Sequence, residues 1–69
     1  MKLQLINADG DVLDTVTLID GGVLRYETGA ARGPVESWQR ARDLDEQAAF
    51  GRLVVEGWSN GYATLRAVG

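Results

Sequence analysis

Lys2-Leu-Gln-Leu-Ile-Asn-Ala-Asp-Gly-Asp-Val-Leu-Asp-Thr-Val-Thr-Leu-Ile-Asp20 is the stretch whose reading decides the fold. Two β-prone runs, Lys2 to Asn7 and Asp11 to Asp20, flank Ala8-Asp9-Gly10, and an Asp-Gly between such runs is a hairpin signal. Asn7-Ala8-Asp9-Gly10 suits a type I turn with Gly10 in the left-handed position of a three-residue loop. That register sets Leu5 opposite Leu13 and Ile6 opposite Val12. A two-residue Asp9-Gly10 turn is the competing register. A slip of one residue turns every side chain over, and apolar residues occur on both faces in either register, so the buried face stays open.

Outward from the hairpin, Gly21-Gly22 precedes a third run, Val23-Leu24-Arg25-Tyr26-Glu27, with Leu24 and Tyr26 on one side. Thr28 to Gly33 is a small-residue connection. Pro34 at a first helical position then predicts a helix carrying Val35, Trp38 and Ala41 or Arg42, ending near Arg42. Asp43-Leu44-Asp45-Glu46 matches a capping box with Asp43 as N-cap, so a second helix is expected from about Leu44 to Glu56. Its stripe is Phe50, Leu53, Val54, Gly57 and Trp58, with Gly57 as the stop. Ser59-Asn60-Gly61 supplies a turn, and Tyr62 to Val68 alternates as a last strand.

The expected fold is therefore α+β, one domain over residues 1–69. It is a small antiparallel sheet, in the order β-β-β-α-α-β, with two short helices packed on it. The core predicted for it is Leu3, Leu5, Leu13, Leu24, Trp38, Phe50, Leu53, Val54 and Leu65.

Composition narrows function. The 69 residues contain no Cys and no His, which removes disulfides, thiolate chemistry and the commonest general base and metal ligand. A hydrophobic fraction of 45% with 25% charge is that of a globular chain. The net charge of −3 argues against general binding of nucleic acid or of an anionic membrane surface. No apolar run exceeds three residues, so neither a spanning helix nor a secretory core is expected and the cytoplasm is the expected location. Charge is ordered along the chain: residues 1–24 carry −3, residues 25–42 carry +2 and residues 43–69 carry −2. Such complementary segments suit association with a protein partner or with a second copy.

Leu24-Arg-Tyr-Glu-Thr-Gly-Ala-Ala-Arg32 and Trp58-Ser-Asn-Gly-Tyr62 resemble segments of a family of small proteins from actinobacterial phages and prophages. The resemblance spans nearly the whole chain, from the first hairpin to the last strand, and no catalytic motif anchors it. Members are similar to products encoded among virion assembly genes, which implies a head-associated or other structural role. Gly33-Pro34 departs from the family pattern, which has an acidic residue after Arg32, and this bears on where the first helix starts.

Several residues invite a chemical reading. Asn7, Asp9, Asp11 and Asp14 offer oxygen ligands near one turn, but the calcium-loop spacing would put Leu5 first and Val16 twelfth, so a solvated hairpin tip is the expectation. Gly29 to Gly33 lacks the Gly-Lys-Ser/Thr of a phosphate loop, and Pro34 removes a donor. Trp38 and Arg42 share a helical face while Arg40 points away, so a core Trp38 and an exposed Arg40 are expected. Ser37 and Ser59 lack a base, and Asp43 and Asp45 are explained by capping. No catalytic, cofactor-binding or metal-ligating residue is assigned.

Arg25, Tyr26, Arg32, Arg40, Trp58 and Tyr62 are the candidate partner-binding residues, since aromatic and Arg side chains anchor interfaces. For Trp58 and Tyr62, which flank the Ser59-Asn60-Gly61 turn, packing over the end of the helix is the expectation and anchoring a partner the alternative. The function expected is that of a non-enzymatic, phage-type structural or interaction protein, a small virion component binding other proteins. Two alternatives are an acidic inhibitor of a host nucleic-acid-binding or defence protein and a small DNA-binding regulator. A virion component would leave the host cytoplasm within the particle.

Overall fold

The computed structural model describes all 69 residues. Three strands, β1 (Lys2–Asn7), β2 (Val12–Ile19) and β3 (Val23–Tyr26), precede helices α1 (Arg32–Ala41) and α2 (Glu46–Glu56). Two more strands follow, β4 (Trp58–Ser59) and β5 (Ala63–Val68). All pairings are antiparallel, in the spatial order β3-β2-β1-β5-β4. The class is α+β as the sequence predicts, with both helices on one face of the sheet. The strand count differs: Trp58 and Ser59, expected at a helix end and a turn, form a fifth short strand against Leu65 and Thr64.

The first hairpin turns as its residues dictate. Gly10 is left-handed at φ +88°, its N–H donates to the Asn7 carbonyl, and the Asn7 N–H donates to the Asp11 carbonyl. Ile6 therefore faces Val12. Beyond that pair the register breaks: a bulge sets Leu5 opposite Asp14, not Leu13. Leu13, expected in the core, is 37% exposed, whereas Asp14 lies on the core face at 1% exposure. The bulge also settles which face is buried. Leu3, Leu5, Val16, Leu24 and Leu65 point to the helices and pack with Val35, Trp38, Ala49, Phe50 and Leu53. Val54, also predicted for the core, is half-buried against it.

Both helix starts differ from expectation. α1 begins at Arg32, two residues before Pro34, because a first-turn proline lacks only an N–H that the helix would leave unpaired. At its other end, the Asp43 N–H donates to the Arg40 carbonyl and the Leu44 N–H to the Gln39 carbonyl, a Schellman closure. Asp43 takes the left-handed position of that closure, at φ 53°. It cannot then cap α2, and Asp45 does so, accepting the Ala48 N–H at 2.7 Å.

Freed from a capping box, the Glu46 carboxylate reaches across to the edge strand and accepts the Leu24 N–H at 3.1 Å. An edge strand presents unpaired amides to other chains, and this carboxylate covers one of them. Glu46→Ala should lower stability by about 1–2 kcal/mol, the worth of a charge-assisted bond at a part-buried site, and Glu46→Gln by less because it retains an acceptor. Hydrogen exchange at the Leu24 amide checks this directly: it should accelerate in Glu46→Ala more than in Glu46→Gln.

Candidate functional site

One pair of the candidate residues, Tyr26 and Arg32, is set in place by a buried charge. Asp14 Oδ1 accepts the N–H groups of Thr15 and Thr28, both at 2.8 Å, and Oδ2 accepts that of Ala31 at 2.8 Å. Thr28 adds a bond from its hydroxyl to the Leu13 carbonyl at 2.7 Å. The connection from β3 to α1 is thereby tied to the start of β2. Burial raises the Asp14 pKa, but the amides of Thr28, Ala31 and Thr15 outweigh it and hold the carboxyl below its usual 3.8. Asp14 is thus no part of a solvated hairpin tip, which is a correction to the expectation. At the tip itself, Asn7 Oδ1 is engaged by the Asp9 and Asp11 amides at 3.0 and 2.9 Å.

Because the Asp14 latch fixes Ala31, Arg32 starts α1 directly over Tyr26, with its guanidinium 4.6 Å from the ring centroid. Arg32 also pairs with Glu36 at 3.5 Å. Burial and the nearby Glu36 carboxylate push the Tyr26 phenol up to about 12 against the opposing pull of Arg32, so it stays protonated across the physiological range.

A second aromatic cluster lies where α1 passes the end of α2. Trp38 is 8% exposed, with the Arg42 guanidinium 4.2 Å and that of Arg52 5.6 Å from its ring. Arg42 also donates to the Trp38 carbonyl at 3.2 Å. Beside them an open groove of about 570 Å³ runs between Pro34, Trp38, Arg42, Glu56 and Trp58.

The third place is the β4–β5 turn. Asn60 Oδ1 accepts the N–H groups of Tyr62 and Ala63, both at 2.8 Å, which stiffens the turn and leaves Tyr62 84% exposed. Tyr62 lines a small cleft with Ile6 and Ala8, between the two hairpin tips.

The six candidate residues thus fall in several places. Tyr26 and Arg32 stack on each other, Trp58 is half-buried at the β4 edge, and Tyr62 stands at a hairpin tip. Arg25 is exposed on the sheet face away from the helices, and Arg40 is exposed on α1. No family model matches the chain, and no curated protein or solved structure matches it. Two residues of consequence were not among the candidates. Arg42 had a signal, since its spacing from Trp38 puts both on one helical face. Asp14 had none, because its role depends on amides 14 and 17 residues away.

Chemically, the arrangement offers surfaces. The one buried carboxylate is fully bonded to backbone amides, and the stacked guanidinium groups cover rings. Among the groups facing outward are a stiffened Tyr and several cations, with Trp58 half-buried at the sheet edge.

Proposed function

We propose that the chain is a non-enzymatic interaction protein, a small component of a virion-type assembly that binds other proteins through the aromatic and cationic groups it leaves exposed. The observation that carries this reading is Tyr62, a large aromatic 84% exposed on a turn held by two hydrogen bonds to Asn60. A rigid, exposed Tyr loses little entropy on binding and suits a hot spot. Val12, 51% exposed, and the adjoining Ile6 extend the apolar surface at the same end of the sheet. The segments Leu24 to Arg32 and Trp58 to Tyr62 resemble a family of small phage proteins whose members are similar to products encoded among virion assembly genes, and this supports the choice of assembly. No helix is long and apolar enough to cross a membrane.

The test is the protein inventory of purified particles made from the genome that encodes the chain. The expected result is the chain present in fixed proportion to the other particle proteins. Tyr62→Ala should leave the unfolding midpoint unchanged, because so little of the side chain is buried, yet lower incorporation at least about tenfold, as loss of a hot spot does. Particles that lack the wild-type chain would sink the reading.

A further inference from the structure

Both helices cover one face of the sheet, and no element covers the other. Strand alternation places Lys2, Gln4 and Ile6 of β1 on that open face, since Leu3 and Leu5 point into the core. The ladders then fix its rows: Arg25 beside Thr17, Thr15 beside Gln4 and Gln4 beside Arg66. At its two ends lie apolar pairs, Ile6 with Val12 and Ile19 with Val23.

We propose that this open face is a docking surface for an acidic polypeptide segment. Three cations, Lys2, Arg25 and Arg66, share it, and the carboxylate beside them is Glu27, next after β3. None of the three cations enters an ion pair; the chain's two ion pairs, Arg32–Glu36 and Arg52–Glu56, both lie on the helices. A net positive face on a chain of charge −3 is therefore a local concentration of charge without an internal partner.

The surface is broad. Thr15 in its middle is only 7% exposed although no helix lies over it, so the side chains of its own sheet cover it. At the hairpin end a shallow hollow of about 300 Å³, lined by Ile6, Thr64 and Arg66, can take an apolar side chain beside a cation. Carboxylates with an intervening apolar residue are what a polypeptide supplies.

Nucleic acid fits less well. Tyr26 and Trp58 pair with Val16 and Leu65 on the helix face, leaving no strand aromatic on the open face for base stacking. Three cations would also neutralise few phosphates. A second copy set face to face brings like charges together.

The proposal rests on the reading of the chain as an interaction protein and names a partner chemistry. Its test is separate from particle incorporation, so either can fail without the other. Binding of a fluorescent oligo-glutamate peptide to the intact protein is followed by anisotropy. The expected result is binding at low ionic strength that weakens as salt is added. Arg25→Glu with Arg66→Glu should weaken it about tenfold, while Val55→Glu, which adds a carboxylate at a position 85% exposed on α2, should change it less than about twofold. Arg25→Gln with Arg66→Gln provides a milder pair, and circular dichroism verifies that each variant is folded. The proposal is overturned by no binding at low salt, by an equal loss in Val55→Glu, or by tighter binding of a single-stranded DNA of matched charge.

Discussion

Asp14→Ala is expected to cost the fold about 4 kcal/mol, a large part of its stability in water at 25 °C. Its carboxylate is the acceptor for three amides, those of Thr15, Thr28 and Ala31, at a site 1% exposed. A buried donor left without a partner costs about 1–3 kcal/mol, and even with water reaching the Thr28 side of the loop the total is about 4 kcal/mol. A chain of 69 residues has roughly 3–10 kcal/mol of stability in all. Urea unfolding followed by far-ultraviolet circular dichroism measures the loss. Asp14→Asn keeps the shape and one acceptor oxygen but turns an NH₂ toward an amide, so it should cost about 2 kcal/mol. A cost below 1 kcal/mol for Asp14→Ala would mean that the latch does not hold the β3–α1 connection.

The same group predicts a dependence on pH. Its folded pKa lies below the usual 3.8, so the native state favours the charged form. The resulting stability is fully present above the unfolded value and is lost as pH falls through the depressed folded value. The gap between the native protein and Asp14→Asn should therefore be constant near neutrality and narrow below about pH 4. A gap that stayed constant into strong acid would show that charge on Asp14 contributes nothing.

How much of this was legible in the sequence depends on how local the cause is. The turn at Asn7 to Gly10 was readable because its bonds close within five residues, and Ile6 opposite Val12 followed from it. The bulge that displaces Leu13 was not readable. It is held by the bond between Asp14 and Thr28 and Ala31, residues whose approach exists only after β3 has paired. The choice of Asp45 over Asp43 as cap shows the same dependence. Either satisfies the chemistry of a cap, and the Schellman closure of α1 decides by taking Asp43 into a left-handed conformation.

The candidate site divides along the same line. Tyr62 stands exposed where packing over the end of the helix is the expectation from sequence, because its turn is held outward by the Asn60 bonds. That Arg40 would be exposed could be read from helical phase. That Arg32 lies over Tyr26 could not, because the stack is positioned by the Asp14 latch. The open, cationic sheet face likewise needed the register, since Lys2, Arg25 and Arg66 are far apart in sequence and meet only through the ladders.

Gly57→Ala should destabilise the fold by about 3 kcal/mol, while Gly51→Ala, six residues earlier in the same helix, should stabilise it. Gly57 ends α2, donating its N–H to the Leu53 carbonyl at 2.8 Å, and turns the chain into β4. Its φ of 69° with ψ −178° is a region that only glycine occupies without strain, which costs other residues about 1–3 kcal/mol. A Cβ there would also lie 3.2 Å from the carbonyl oxygen of Leu65, the residue paired with Trp58. Relief by backbone movement would break that pairing and release Trp58 from the core edge, so tryptophan emission should shift to the red along with the loss of stability. Gly51 is exposed in the body of α2 with open space around its would-be Cβ, so alanine there gains about 0.5–1 kcal/mol from helix propensity alone. Opposite signs at the two glycines would identify the left-handed corner, and not α2 as a whole, as the feature that builds the β4 edge. Equal and small effects at both would show that the edge forms without it.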